Sequence, residues 1–253
     1  ANLSRHIQKQ GWQMLLFTVD TENEVDTALN TLMQYKIDSV IILSAILSDQ
    51  MAASCRSQGI PVMLYNRSVE GLDASFVQIK NLEGGRLAAE TLLETGHDRI
   101  AFVGGEQGDA TSEMREKGFR EMLEEAGQEI FIRETGDYTF DSGKEAARRM
   151  FARKEKPDAI FCASDVMALG VLHTARNELG LSVPGDFSLI GFDDIPAAEW
   201  PGHALTTIRQ PVGQMIREAV DCLVVSMQNP DLGPQKIRFD GRLIMRGTVR
   251  AAS

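Results

Sequence analysis

Cysteine, net positive charge and long apolar runs are all scarce in this 253-residue sequence. Its three cysteines have no metal-ligand spacing, so we interpret Cys55, Cys162 and Cys222 as reduced core thiols of a cytosolic protein. The formal net charge is −10, whereas a nucleic-acid groove needs clustered Lys and Arg, so this stretch alone is a poor DNA or RNA binder. No apolar run approaches the roughly 18 residues of a transmembrane helix. The first twelve residues also lack the apolar segment of a signal peptide, which favours a cytoplasmic location.

Motifs of enzyme chemistry are missing too. There is no GxSxG elbow, no GxxxxGK[ST] loop and no HExxH pair. The four histidines are scattered, and we expect surface or capping roles for His97 and His173. Asp193 and Asp194 are adjacent after an apolar run, so their side chains should diverge rather than share a metal. We therefore predict no catalytic residue, no metal and no cofactor, which disfavours an α/β enzyme acting on a small sugar.

The sequence does contain a regular alternation of short apolar runs with amphipathic stretches. Runs such as "VIIL", "IAFV" and "LIGF" predict strands, and Met14–Val19 is another. Helices are predicted at 21–35, at 49–58 and at 112–126 before Gly127, with Ser142 and Glu145 as the capping box of one more. The alternation indicates an α/β fold in which helices cover both faces of parallel sheets.

Two features concern the organisation of the chain. The alternation restarts after Asn81, which suggests a second lobe. The chain also opens on a predicted helix, Leu3 to Gln10, where a sheet of this type would open on a strand, so we expect a strand upstream.

Polar side chains follow the predicted strands, and in open α/β sheets ligands bind beyond the carboxyl ends of the strands. The residues in these positions are Ser44, Asn66, Arg67, Gly104, Gly105, Ser164, Asp165, Asp193 and Asp194. With Arg115 in a neighbouring helix and Tyr138 as an apolar platform, they could bind a polyhydroxylated ligand. Asp and Asn after a strand also serve as turn residues or caps. We favour capping for Asp165 and a structural role for Asp194, which leaves Asp193 as the ligand acceptor.

Several motifs, in order and at similar spacing, resemble the LacI/GalR family of bacterial transcriptional repressors. They are "GHDRIAFVGG", "REKGF", "GDYTFDSG", "DAIFCASDVMALGVL" and "GFDDIPAAEW…ALTTIRQP". Members carry an N-terminal helix-turn-helix, a hinge and an effector domain like the periplasmic sugar-binding proteins of type I. The chain resembles the effector domain alone, which implies two Rossmann-like lobes with a ligand cleft between them. Operator DNA would then be bound only through a domain outside this sequence.

The resemblance also implies which residues contact the effector. Effector contacts fall on Asn66, Thr111 and Arg115, a stacking ring on Tyr138, and the acid that binds ligand hydroxyls on Asp193. Ser164 stands where many sugar-responsive relatives have Asn, and Ser44 and Arg67 are possible additional contacts. The implied effector is a sugar or sugar acid, with a purine as the rarer alternative.

Assembly and lobe boundaries follow from the same resemblance. A homodimer interface is implied near Met167, Leu169 and Trp200, although the two former residues could equally be core. The three crossings between lobes are placed near Lys80–Asn81, Arg209–Gln210 and Gly233–Gln235. The N-terminal lobe would hold 1–80 plus 210–234, and the C-terminal lobe 81–209 plus 235–253. A rival function with the same fold is a sugar-binding protein that serves a transporter.

Overall fold

The computed structural model describes residues 2–18, 35–43, 54–55, 57–66, 74–229 and 231–251. The chain divides into an N-terminal unit, Ala1–Ile79 with Pro211–Phe239, and a C-terminal unit, Lys80–Gln210 with Asp240–Ser253. It therefore passes between the units at three places. Within the described ranges, no helix combines the length and apolar character needed to cross a membrane.

Helices and strands alternate along most of the described chain. The helices are α1 (Asn2–Lys9), α2 (Asn81–Glu94), α3 (Ala110–Glu125), α4 (Phe140–Phe151), α5 (Asp165–His173) and α6 (Val212–Gln228). The strands are β1 (Val40–Ile42), β2 (Val62–Tyr65), β3 (Ser75–Ile79), β4 (Ile100–Gly104), β5 (Ile132–Thr135), β6 (Ala159–Cys162), β7 (Ser188–Asp193), β8 (Thr206–Arg209), β9 (Lys236–Phe239) and β10 (Arg242–Ile244). A π-helical turn, Thr174–Glu178, continues α5, and a 3-10 turn, Pro196–Glu199, follows β7.

The N-terminal unit contains a sheet of order β1-β2-β3-β9, parallel throughout. Its core joins Met63 and Val77 of the sheet to Met215, Ala219 and Leu223 of α6, all of them buried. The predicted third crossing assigned β9 to the other lobe. In the structure β9 pairs with β3 from Phe76 to Ile79, so the chain leaves this unit only after Phe239.

One predicted strand is not formed in the part of it that the structure describes. Met14 to Thr18 have no ladder partner among the described residues, and the side chains of Leu15 and Leu16 are 55% and 72% exposed. They line a cavity of about 720 Å³ together with β1, α1 and α6. An apolar run becomes a strand only where a neighbouring strand pairs with it, and none of the described strands pairs with this run.

Two predicted helices lie mostly outside the described residues. The one at 21–35 is described only at Tyr35, and the one at 49–58 only at Ser54, Cys55, Ser57 and Gln58. Of the latter, Ser54, Cys55 and Ser57 are helical.

The C-terminal unit contains a six-stranded sheet of order β10-β8-β7-β6-β4-β5. All of its pairs are parallel except β10 with β8. The adjacent inner strands β4 and β6 are buried along their whole length, as sheets with two covered faces require. The predicted α/β class with parallel sheets is confirmed.

Helix pairs of this unit pack closely through glycine. A Cβ atom at Gly85 of α2 would overlap the carbonyl oxygen of Arg115 in α3, and one at Gly118 would overlap that of Leu82. The absence of a side chain at these two positions therefore sets the distance between α2 and α3, and with it the position of Arg115.

Candidate ligand-binding site

Arg115 and Asp193 lie side by side at the carboxyl ends of the strands in the C-terminal unit. Asp193 is the last residue of β7, and Arg115 lies in α3, the helix that follows β4. Nη2 of Arg115 is 3.7 Å from Oδ1 of Asp193, longer than a hydrogen bond. The Arg115 side chain is 2% exposed, whereas that of Asp193 is 31% exposed. The pair therefore forms a buried positive charge beside an accessible carboxylate.

The protein holds the Arg115 guanidinium on three sides. Its Nε donates to Oδ1 of Asn81 at 2.9 Å, and its Nη1 donates to the carbonyl oxygen of Ala163. Its central carbon lies 3.6 Å from the ring centroid of Phe192. These two hydrogen bonds use two of the five guanidinium N–H groups, so donors remain for a ligand. Burial lowers the pKa of Arg115, and the nearby Asp193 opposes that effect.

Asp193 accepts a second, shorter contact from the protein. Nε2 of Gln210 donates to its Oδ1 at 2.6 Å. Desolvation raises the pKa of Asp193, although Arg115 and Gln210 both act in the opposite direction. The ionised carboxylate is therefore less favourable at this position than in water.

The backbone around Asp193 is in an uncommon conformation. Asp193 has φ +118° and Asp194 has φ +58°, both in the region that favours glycine. The Asp194 side chain points away from Asp193, accepting hydrogen bonds from Nε of Arg209 and, at 2.7 Å, from Nη2 of Arg246. The two carboxylates diverge as expected, and Asp194 holds the turn that presents Asp193.

Tyr138 lies next to the loop between β4 and α3. Its ring packs against Gly105, where a Cβ atom would overlap the ring, and its φ is +65°. Its hydroxyl donates to Oδ2 of Asp109, and burial raises the pKa of that hydroxyl. Asp109 also caps α3, accepting from the backbone N–H of Thr111 at 3.2 Å and of Ser112 at 3.1 Å. Sequence reasoning missed Asp109, although an Asp two and three residues ahead of Thr and Ser is a helix-start signal.

The cap of α5 is Ser164 and not Asp165 as expected. Ser164 is the N-cap of α5, with its Oγ accepting from Met167 N at 3.3 Å, and it is 3% exposed. Asp165, expected to be the cap, is the first helical residue and fully buried. Its carboxylate accepts from Thr207 Oγ1 at 2.6 Å and from Ile195 N at 2.9 Å, and burial raises its pKa to about 7. The capping expectation for Asp165 was wrong because the helix begins one residue earlier.

Asn66 belongs to the N-terminal unit, directly after β2. It has φ +57°, and its backbone N–H donates to Val77 O at 2.7 Å. Its Oδ1 is buried and has no hydrogen-bond partner among the described residues. A buried acceptor without a partner is costly, so Asn66 is suited to receive a ligand donor. Ser44 and Arg67 lie outside the described residues.

Three residues were expected at a dimer interface. Met167 is fully buried and Leu169 is 8% exposed, so both are used by the core of this chain. Met167 packs over Gly143 of α4, where a Cβ atom would overlap its backbone. Trp200 is 57% exposed and stacks on His203 with ring centroids 5.7 Å apart. Of the three, only Trp200 offers a substantial side-chain surface to a partner.

His97 has a different environment from the one expected. It is 2% exposed, its Nε2 lies 2.9 Å from Ser188 Oγ, and its Nδ1 lies 3.5 Å from Asp158 Oδ1. Burial lowers the pKa of His97. The expected surface or capping role was wrong, because strand β7 covers the residue. The set resembles a Ser-His-Asp triad, yet Ser188 is fully buried and out of reach of a substrate.

The remaining titratable groups form no further centre in the part of the chain that the structure describes. No group of three or more His, Cys, Asp or Glu side chains there could hold a metal ion. Cys55, Cys162 and Cys222 are buried free thiols, as predicted, and burial raises the pKa of each.

Comparison with known proteins gives a consistent result. The family described as "Periplasmic binding protein-like domain" matches residues 89–249. The chain is 33% identical over 244 residues to the HTH-type transcriptional regulator CelR of Thermobifida fusca, covering 95% of this chain and 72% of CelR. It is 30% identical over 251 residues to the ribose operon repressor of Escherichia coli K12, covering 98% of this chain and 76% of that protein. A solved structure of the CelR–cellobiose complex has a TM-score of 0.88 and 32% identity, covering 98% of this chain and 76% of the other.

Proposed function

Because this chain belongs to the LacI family of transcriptional regulators and forms the effector domain of one, we propose that Arg115 and Asp193 bind a small sugar-like effector. Its binding controls the attachment of the whole regulator to operator DNA. The observation that carries the proposal is the buried Arg115, with unused N–H groups 3.7 Å from the accessible carboxylate of Asp193.

The chemistry of the pair favours a neutral hydroxylated ligand. A sugar hydroxyl both donates and accepts, so it can accept from Nη2 of Arg115 while it donates to Oδ1 of Asp193. A carboxylate can only accept, so the carboxylate of a sugar acid beside Arg115 would face the carboxylate of Asp193. Neutral sugars are therefore expected to bind more tightly than sugar acids, with purines as the third class. CelR is known in complex with cellobiose, which supports a sugar as the effector.

Other residues complete the proposed site. Tyr138 supplies a ring for the apolar face of the sugar, and Thr111 lies one helical turn before Arg115. Asn66 supplies an acceptor from the N-terminal unit if the effector binds between the lobes, as the resemblance implies. Ser44 and Arg67 stay predictions. Ser164 also stays a prediction, since its hydroxyl accepts from Met167 N at the start of α5 and keeps its own proton to donate.

We further propose how binding acts on transcription. The effector favours one arrangement of the lobes through its differential affinity for the two states, and a homodimer that includes Trp200 transmits this to the DNA-binding parts of the regulator. Regulation of operator DNA places the protein in the cytoplasm. The relatives in the comparisons are transcriptional regulators, which supports this function over a transporter-linked binding protein or an enzyme.

The test is whether a ligand stabilises this chain, measured as a rise in its melting temperature. The probes are cellobiose, D-ribose, gluconate and hypoxanthine, one or more for each ligand class. A ligand that binds only the folded state adds about 2.7 kcal/mol at a hundredfold excess over its Kd. We expect a dose-dependent rise with a neutral sugar that is lost in Asp193→Asn. Asp141→Asn is the matched control, since that side chain is 85% exposed. No rise with either sugar, or a rise that Asp193→Asn leaves intact, would refute the proposal.

A further inference from the structure

We propose that Asn81 and Gln210 are positioning residues that couple the Arg115–Asp193 pair to the points where the chain passes between its two units. The inference rests on the proposed function and deepens it, because it concerns how occupancy of that site is transmitted. Four residues of the C-terminal unit lie at these points, and we call them the crossing residues: Lys80, Asn81, Gln210 and Asp240.

Gln210 connects one crossing to the acidic member of the pair. It follows β8 directly and is the last residue before the chain enters the N-terminal unit at Pro211. Its side-chain Nε2 donates to Oδ1 of Asp193 at 2.6 Å, and the residue is 8% exposed. The oxygen that receives this bond is the same one that faces Arg115.

Asn81 connects a second crossing to the basic member. It is the first residue of α2, one residue after the chain enters the C-terminal unit at Lys80. Its Oδ1 accepts from Nε of Arg115 at 2.9 Å. Lys80 has no side-chain capping bond to α2. The side-chain contact of Asn81 with Arg115 therefore ties this crossing to the site.

The third crossing is tied to the first. Nζ of Lys80 lies 2.8 Å from Oδ1 of Asp240, the residue at which the chain returns from the N-terminal unit. This ion pair is largely exposed, so it adds little stability by itself. It nevertheless holds Asp240, at the third crossing, next to Lys80, which directly precedes Asn81.

A ligand that binds the pair must change both connecting hydrogen bonds. A ligand hydroxyl between Nη2 and Oδ1 draws the guanidinium toward itself and donates to the oxygen that Gln210 already uses. The Arg115–Asn81 bond and the Asp193–Gln210 bond then both adjust, and each ends on a crossing residue. Occupancy of one small site thereby acts on two crossings at once, through two partly buried hydrogen bonds that are screened less than exposed ones.

The test is a mutant cycle read by hydrogen exchange of backbone amides in this chain without any ligand. Asp193→Ala removes the shared acceptor, and we expect amide exchange to become about 2- to 10-fold faster at residues 79–84, the size of one net hydrogen bond. The connection from that segment to Asp193 runs through Asn81 and Arg115. In the Asn81→Leu background, which lacks the acceptor, Asp193→Ala should add less than twofold there. Asn81→Asp, which keeps an acceptor, should restore the response.

Gln128→Met provides the matched control background. Nε2 of Gln128 donates to His97 O at 3.3 Å, away from the crossing residues, so this background should keep the full response to Asp193→Ala. Gln210→Met gives a second cycle, read at residues 208–212, so the test does not depend on one variant folding. The coupling would be overturned if Asp193→Ala speeds exchange by the same factor in the Asn81→Leu and Gln210→Met backgrounds as in the wild type.

The ligand arm separates this inference from the proposed function. Cellobiose and D-ribose are added to the wild type, and whichever binds should slow exchange at 79–84 and 208–212. If neither binds, the proposed function fails while the ligand-free cycle still decides the coupling. If one binds and the exchange at both segments stays unchanged, the coupling fails while the function stands.

Discussion

The adjacent carboxylates Asp193 and Asp194 should respond in opposite ways to the same substitution. Asp193→Asn and Asp194→Asn each replace one carboxylate oxygen by an amide without changing size, and Asn tolerates positive φ as Asp does. One residue faces Arg115 and the accessible site, whereas the other accepts hydrogen bonds from Arg209 and Arg246. Asp193→Asn should therefore affect ligand binding, and Asp194→Asn should affect the stability of the fold.

The stability of Asp193→Asn is expected to match or exceed that of the wild type. Desolvation raises the pKa of Asp193 despite Arg115, so the ionised carboxylate is unfavourable on balance in the folded state at neutral pH. Asp194→Asn removes a charged acceptor from two arginines. Bonds to charged groups contribute about 1.5–3 kcal/mol each, and Arg209 is half exposed, so we expect a loss of about 2 kcal/mol.

Effector affinity should show the reverse order. Loss of the charged acceptor at Asp193 should raise Kd about 10- to 150-fold, the equivalent of one hydrogen bond to a charged group. Asp194→Asn should change the affinity of the folded protein by less than about threefold, because its side chain points to Arg209 and Arg246.

Urea denaturation followed by circular dichroism measures the first effect, and titration calorimetry with the sugar found in the ligand screen measures the second. The reasoning is refuted if Asp193→Asn lowers the free energy of unfolding by more than about 2 kcal/mol while its affinity is retained. It is equally refuted if Asp194→Asn is the variant that loses affinity at unchanged stability.

Three further predictions concern buried ionisable groups. Arg115→Lys should bind effector about tenfold more weakly in calorimetry, because an ammonium cannot bond Asn81 and a ligand with a planar fork. Burial lowers the pKa of His97, so the imidazole binds a proton more tightly in the unfolded state than in the folded state. The contribution of neutral His97 to stability is therefore present above about pH 6.5 and is lost as the pH falls below that value. Urea midpoints from pH 5 to 7 should show this loss, and His97→Gln should remove it. Burial raises the pKa of Asp165 to about 7, so stability should fall as pH rises from about 4 to 7, a slope that Asp165→Asn removes in the same measurement.

Features that depend on neighbouring residues in the chain could be predicted from the sequence. The helix ends at Gly96, Gly127 and Gly180 are of this kind, and each glycine has φ between 65° and 76°. Glycine is the residue that adopts this conformation without strain, so its place in the sequence predicts the helix end. The alternation of strands and helices is equally local, which is why the α/β class was predicted correctly.

Features that depend on distant residues could not be predicted in this way. His97 follows a helix-ending glycine, which suggests the surface, yet it is covered by Ser188, 91 residues further on. Met14 to Thr18 have the composition of a strand and find no ladder partner among the described residues. The helix predicted to open at Ser142 begins after Thr139, whose Oγ1 accepts from Ser142 N at 3.1 Å. Two hydroxyl residues three positions apart both suit a cap, and packing decides between them.

The candidate site combines backbone conformations and buried charges that are energetically unfavourable. In the described ranges six non-glycine residues have positive φ, and three of them, Tyr138, Asp193 and Asp194, form or support the part of the candidate site in the C-terminal unit. Burial also disfavours the charged forms of both Arg115 and Asp193. Such features persist only where surrounding contacts hold them, and they cluster where function requires a fixed geometry. A ligand that bridges Arg115 and Asp193 would satisfy both charges at once. Substitutions that relieve the same features without a ligand should therefore stabilise the chain and weaken its response to effector.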